Sequence, residues 1–147
     1  MPILRIYLDT DGLLDLVTPE SSLDEQSERV IETALLTKQL VFITSEITIL
    51  ESLVHACRNG NEKRQADLRR FLTPSSFVET CAETRTIIED ALKLRVSYGL
   101  KSPDAIHVAT GLSTNCEAFL TKDEKWAKLG LSILSVSQLA KALGAAN

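Results

Sequence analysis

Four carboxylates stand where a fold has little structural use for a charge. Asp9 closes the apolar run Ile3-Leu-Arg-Ile-Tyr-Leu8. Glu51 interrupts the apolar stripe from Ile47 to Val54. Asp104 follows Ser102-Pro103 at the start of an apolar segment, and Asp123 follows Phe119-Leu-Thr-Lys122. Gathered in one place, they would make a strongly negative pocket. Such a pocket is stable when it holds hard cations, which take oxygen ligands. Divalent ions among carboxylates suit chemistry on a phosphate ester, because they offset the charge of both site and substrate.

Each acid also has an ordinary structural use. Asp9 and Asp11 are both suited to cap a helix beginning near Gly12. Only one of them can be that cap, and the ligand role falls to Asp9, with Asp11 in support. Glu51 has Ile47, Leu50 and Val54 as helical neighbours, which turns it toward the core or a pocket, and buried acids are rare unless paired or bound to a cation. Glu46 lies in the first turn of the same helix, where the dipole alone accounts for a negative charge. Ser102 at the cap and Pro103 at the first helical position make a strong helix start, and Asp104 is placed at its rim. Thr121 can orient a neighbouring carboxylate or phosphate through its hydroxyl. His107 is expected to be a packed or hydrogen-bonded core residue.

These residues need elements to position them. Strands are expected at Ile3–Leu8, Leu40–Ile43, Ser76–Cys81, Ala118–Leu120 and Leu131–Leu134. Helices are expected at Gly12–Val17, from Ser22 to about Lys38, and from a Thr44 or Ser45 cap to Arg58. Asn59-Gly60-Asn61 breaks that helix, and another runs to Leu72, before Pro74. Helices follow at Glu83–Tyr98, closed by Gly99, at Ser102–Leu112, at Asp123–Leu129, and from a Ser135 cap to about Leu143. Pro2 and Pro19 bound the first elements. The alternation predicts an α/β fold of three layers, α/β/α, with a mostly parallel central sheet. In such sheets ligands sit at the carboxyl ends of strands near a switch point; Asp9 and Asp123 both follow directly after expected strands, so one edge of the sheet can present both.

Composition narrows the function classes. The chain has 147 residues, 44% of them apolar, which suits a single domain over 1–147 with one core. No apolar run is long enough to span a membrane, and the N-terminus lacks the pattern of a signal peptide. A cytoplasmic protein is expected. Cys57, Cys81 and Cys116 are odd in number and far apart, so they read as small buried hydrophobes rather than disulfide or zinc residues. The net charge of −4 excludes a general electrostatic binder of nucleic acid. The charge is uneven, however. Five basic residues (Arg58, Lys63, Arg64, Arg69 and Arg70) face Glu62 and Asp67, and form either a local basic strip or a solvated helix face.

The segments IYLDTDGLLDLV, ITSEITILESL, KSPDAIHVATGL and AFLTKDEKW, in this order, resemble the PIN-domain family, and within it the small toxin ribonucleases of VapC type. The resemblance covers nearly the whole chain and is most specific in KSPDAIHVAT and FLTKD. It implies a PIN-like fold with one acidic site at the strand ends, and cleavage of RNA with Mg²⁺ or Mn²⁺, leaving a 5′-phosphate and a 3′-hydroxyl. The family's acids fall on Asp9, Glu51, Asp104 and Asp123, and its hydroxyl before the last acid on Thr121. Asp11 stands where the family commonly has Asn. The resemblance further implies an RNA substrate, a cognate antitoxin and a homodimer. The apolar faces Val30/Ile31/Ala34/Leu35 and Ile47/Leu50/Val54 either form a groove for a partner helix or pack the core. Arg58, Lys63, Arg64, Arg69, Arg70 and Lys122 are candidates for flanking phosphates.

Two competing readings stand beside this one. Asp9-Thr-Asp-Gly12 also resembles the first motif of haloacid-dehalogenase-like phosphatases, with Asp9 as nucleophile, Asp11 as acid/base and Lys101 as the family's lysine. No paired late acids follow Lys101, and Glu51 would have no role. The other reading is a PIN-like module that binds RNA or protein without cleaving.

Overall fold

The structure is a computed structural model, and it describes residues 3–17, 24–73 and 78–145. The elements run β1 (Leu4–Leu8), α1 (Thr10–Val17), α2 (Asp24–Thr37), β2 (Leu40–Ser45), α3 (Ile47–Arg58) and α4 (Glu62–Phe71). They continue with β3 (Val78–Cys81), α5 (Arg85–Tyr98), α6 (Ser102–Ser113), β4 (Ala118–Leu120), a 3₁₀ helix (Glu124–Leu129), β5 (Ile133–Leu134) and α7 (Val136–Ala145). The expected opening of α2 at Ser22, the start of β3 at Ser76, and the boundaries at Pro2, Pro19 and Pro74 lie outside the described residues.

The five strands form one parallel sheet in the order β3-β2-β1-β4-β5. The chain fills β1 to β3 outward on one side, then returns to place β4 on the other side of β1. The switch point therefore lies between the carboxyl ends of β1 and β4. The register pairs Leu8 with Leu120, so the next residues, Asp9 and Thr121, emerge side by side.

Alternation along β1 divides the core. Ile6 and Leu8 face α1, α2 and α7, and pack with Leu13, Leu16, Val30, Phe42 and Leu139. Tyr7 faces the other layer, with Ile43, Val108, Phe119 and Trp126, and the α5–α6 pair adds Ile87, Ala91, Ala105 and Ala109. Two glycines permit close approaches that a side chain would block. A Cβ at Gly12 would lie 1.9 Å from the Leu120 carbonyl oxygen, and one at Gly111 would lie 2.3 Å from the Phe119 ring. No helix among the described residues is long and apolar enough to cross a membrane.

Three local expectations need correction. Thr44 and Ser45 are buried strand residues, so β2 runs further than Ile43, and Glu46 occupies the cap position of α3. The first amide of α3, Ile47 N–H, donates to Ser45 Oγ at 3.2 Å and to Glu83 Oε1 at 3.0 Å, so a carboxylate from the next layer serves the helix start. Lys101, not Ser102, occupies the cap position of α6, which moves Asp104 to the third helical residue. Cys57 is exposed, and Cys81 and Cys116 are only partly buried.

Candidate active site

Asp9 leaves β1 into a buried position, 7% exposed. Its Oδ1 accepts the Gly12 N–H at 2.7 Å, and Thr121 Oγ donates to its Oδ2. Asp9 is thus the cap of α1 as well as a candidate ligand. Burial pushes its pKa up and the nearby Asp11 adds to this, while the two hydrogen bonds pull it down. Thr121 Oγ also accepts the Asp123 N–H at 3.0 Å. One hydroxyl therefore ties the end of β1 to the loop after β4. Asp123 caps the 3₁₀ helix, its Oδ1 accepting the Lys125 N–H at 3.0 Å. Asp11 is exposed in the first turn of α1.

Asp104 has no hydrogen-bond donor among the described residues. Partial burial raises its pKa, and so do the carboxylates of Asp123 and Glu51, against the opposing influence of His107 and Lys101. Asp104 therefore lies within electrostatic reach of Asp123 and Glu51, and His107 is within reach of both Asp9 and Asp104.

Glu51 reaches this region by a route its sequence neighbours did not indicate. Leu50 is 68% exposed and Val54 37%, and the buried face of α3 is Thr48, Ser52, Leu53 and Ala56. The apolar stripe is not the core face, and Glu51 sits at the edge of the polar one. There its Oε1 receives both Thr10 Oγ, at 2.8 Å, and His107 Nε2, at 2.7 Å. These bonds, His107 foremost, hold its pKa low against partial burial. A carboxylate only accepts, so Nε2 carries the proton. In the neutral ring Nδ1 is then an acceptor, and Tyr7 O–H donates to it at 2.7 Å. Tyr7 is fully buried and His107 2% exposed. A relay thus runs from the core of the sheet to one oxygen of Glu51 and leaves Oε2 for other partners.

Thr10 and Tyr7 are the site residues that sequence reasoning missed. Tyr7 lies two residues before Asp9 in β1 and Thr10 directly after it at the start of α1, and neither carries a pattern of its own. Lys122, a candidate phosphate contact, pairs with Asp15 at 2.9 Å.

The acidic groups form an all-oxygen donor set, suited to Mg²⁺ or Mn²⁺ rather than to zinc. Among the described residues, however, no three Asp, Glu, His or Cys side chains converge closely enough to ligate one ion as they stand. The influence of Asp123 and Glu51 on Asp104 acts over several ångströms, whereas ligation requires direct contact, so the two observations are compatible. The donor chemistry is that of a hard-cation site.

The sequence matches the PIN domain family over residues 6–131. No curated protein matches it. Among solved structures, a toxin–antitoxin complex from Klebsiella pneumoniae superposes with a TM-score of 0.63 at 22% identity, over 89% of this chain and 97% of that one. The sarcin-ricin loop cleaving toxin VapC20 of Mycobacterium tuberculosis gives 0.66 at 17%, over 86% and 95%. VapBC2 of Rickettsia felis, bound to a DNA fragment from its promoter, gives 0.71 at 15%, over 90% and 98%. At these identities the likeness is one of fold.

Proposed function

The chain belongs to the PIN domain family, and on that premise we propose that it is a metal-dependent endoribonuclease. In this reading the chain is one PIN domain and the toxin of a type II toxin–antitoxin pair, with Asp9, Glu51, Asp104 and Asp123 as the catalytic carboxylates and Asp11 and Thr121 in support. The observation that carries it is Asp104. This half-buried carboxylate has no hydrogen-bond donor among the described residues, and its pKa is raised by burial and by two further carboxylates. The N-terminal end of α6 favours the anion, but burial and the neighbouring carboxylates oppose it, and a bound cation would offset both.

Asp9, Asp104 and Asp123 would hold Mg²⁺ or Mn²⁺, with Glu51 contributing through Oε2. The ion, when bound, supplies Lewis-acid polarisation of the phosphodiester and of water. The chain's own residues supply order. Thr121 fixes Asp9 against the β4 loop. Thr10 and His107 fix Glu51 by one oxygen. The positive N-terminal end of α6 faces the same rim through Asp104. Membership of the PIN family removes the phosphatase reading of Asp9-Thr-Asp-Gly12.

The proposed partners are an RNA substrate, an antitoxin and a second copy of the chain, with the cytoplasm as the place of action. Leu35, Leu36, Leu50 and Val54 are exposed apolar residues open to an antitoxin. Val30 and Ala34 are core residues and are not. The test is cleavage of a structured-RNA panel by the wild type and Asp104→Asn with Mg²⁺, Mn²⁺ or EDTA. Ion-dependent cleavage that disappears in the variant supports the reading. Metal binding that Asp104→Asn abolishes, with no RNA cut by the wild type, leaves a binding module instead.

A further inference from the structure

Glu51 also forms one wall of a second feature. A cavity of about 290 Å³ opens between α1, α3 and the start of α4. Leu14, Ser52 and Ala56 form its small, largely apolar floor. His55, Asn59, Asn61 and Arg64 complete the lining. The Asn59-Gly60-Asn61 break, with Gly60 at φ +65°, brings two carboxamides to one cavity.

Their hydrogen bonds define what remains on offer. Asn61 Oδ1 accepts the Arg64 N–H at 3.0 Å as the cap of α4. That requirement fixes the amide, so its Nδ2 hydrogens are the groups left to a ligand. Asn59 Nδ2 pairs with His55 Nε2 at 3.0 Å. An amide nitrogen only donates, so Nε2 accepts and Asn59 Oδ1 remains as an acceptor. The cavity thus presents a carboxamide donor and a carboxamide acceptor, with His55 and Arg64 also in its lining.

We propose that this cavity is a nucleotide subsite. It takes one unstacked base of the RNA strand whose phosphodiester lies at the carboxylates, and Asn59 and Asn61 read the edge of that base. The inference rests on the ribonuclease reading and deepens it. Three observations favour it. The cavity shares Glu51 with the acidic centre, so a strand held there continues into it. Its volume is at the small end for ligand pockets, enough for a base and too little for a packed helix. Its chemistry matches single-stranded RNA recognition, where splayed bases stack on aromatic or guanidinium planes and are hydrogen-bonded at their edges. A peptide's aliphatic side chains would meet only Leu14 and Ala56 as apolar partners.

The test is cleavage of a random single-stranded RNA pool with Mn²⁺, with the product ends sequenced, for the wild type, Asn59→Ala and Asn61→Asp. Asn61→Asp keeps the capping oxygen and replaces the ligand-facing donor by an acceptor, so the fold persists. The wild type is expected to discriminate among bases about tenfold or more at one position near the cut, the scale of one paired edge contact. Asn59→Ala should flatten that position, and Asn61→Asp should change the base preferred there, with other positions unmoved. A parallel arm measures binding of a fluorescein-labelled pool in EDTA to Asp104→Asn, with and without Asn59→Ala, and expects roughly a threefold or greater loss. If the wild type cleaves RNA and all three share one preference profile, the subsite is overturned while the nuclease reading stands. If it cleaves nothing, the nuclease reading fails, and the EDTA arm decides the cavity. Unchanged RNA affinity then overturns the subsite, and weakened affinity keeps it. An unchanged profile accompanied by weaker capture of a co-expressed antitoxin also overturns it and gives the cavity to a peptide.

Discussion

Tyr7→Phe removes one oxygen from a residue in full core contact and changes little else. Its consequence can be worked from the relay. Because Glu51 can only accept, His107 Nε2 must keep its proton, and Nδ1 is left as a buried acceptor whose donor is Tyr7 O–H at 2.7 Å. Without the hydroxyl that acceptor is unsatisfied in a ring only 2% exposed. The cost is about 1–2 kcal/mol. For a chain of this size that lowers the melting midpoint by roughly 3–6 °C. The alternative tautomer would put the proton on Nδ1, and would then lose the bond to Glu51 instead. Stability and the tethering of Glu51 are therefore linked. A double-mutant cycle with Glu51→Gln should show a coupling of about 0.5–1 kcal/mol between the two residues, which act through the same ring. Urea unfolding in EDTA, followed by the fluorescence of Trp126, measures it. Trp126 is the chain's single tryptophan and fully buried, with its ring centroid 6.5 Å from that of His107. Additivity within about 0.3 kcal/mol would refute the relay.

Four further outcomes are expected. Asp104→Asn should weaken Mn²⁺ binding and RNA cleavage by more than the roughly 10–100-fold that supporting residues cost. Isothermal titration would read the first, and single-turnover cleavage the second. In EDTA, Asp9 and Asp104 have pKa values raised by burial, so their contribution to stability is full below the ordinary carboxylate range and is lost as pH rises through the raised values. Asp104→Asn should therefore raise the metal-free melting midpoint at pH 7 and leave it unmoved at pH 3, whereas Glu51, with its lowered pKa, contributes above the ordinary range and loses this as the pH falls. Gly12→Ala places a carbon 1.9 Å from the Leu120 carbonyl oxygen, and should cost about 4 kcal/mol or more, which thermal unfolding would detect. Leu92→Glu, in the exposed ridge Ile88, Leu92 and Val96 of α5, should convert a dimer to a monomer in analytical ultracentrifugation; a wild type already monomeric at high micromolar concentration would count against the homodimer.

The sheet was legible because its strands are short apolar runs punctuated by polar breaks, and because helices alternate with them. The strand order, and with it the switch point between β1 and β4, came only with the structure, and the register of Leu8 with Leu120 then set Asp9 beside Thr121. The misread positions have a common cause. Thr44 and Ser45 look like cap residues, but their hydroxyl protons are committed inside the fold: Thr44 donates to the Leu8 carbonyl at 2.6 Å, and Ser45 donates to Glu83 while its oxygen still accepts Ile47 N–H. A hydroxyl near a helix start signals a cap only when no stronger acceptor lies across the sheet, and sequence does not show what lies across the sheet.

Glu51 was read as a site residue from a face of α3 that is largely open to solvent. Apolar periodicity marked Ile47, Leu50 and Val54 as inward, yet Leu50 and Val54 are substantially exposed. The buried face is made of Thr48, Ser52, Leu53 and Ala56, with Thr48 hydrogen-bonded to Thr44 of β2. Apolarity of a helix face thus separates core from surface only when no partner outside the chain has a claim on it. An acid beside the polar face is then held by hydrogen bonds rather than by burial. His107 supplies one and Thr10 the other, both to the same oxygen. That asymmetry gives Glu51 a tethered oxygen and an open one. It is also why Glu51, held by two donors, differs from Asp104, which no donor among the described residues supports. One is positioned in advance and the other is left in want of charge, and a cation between them would meet both conditions.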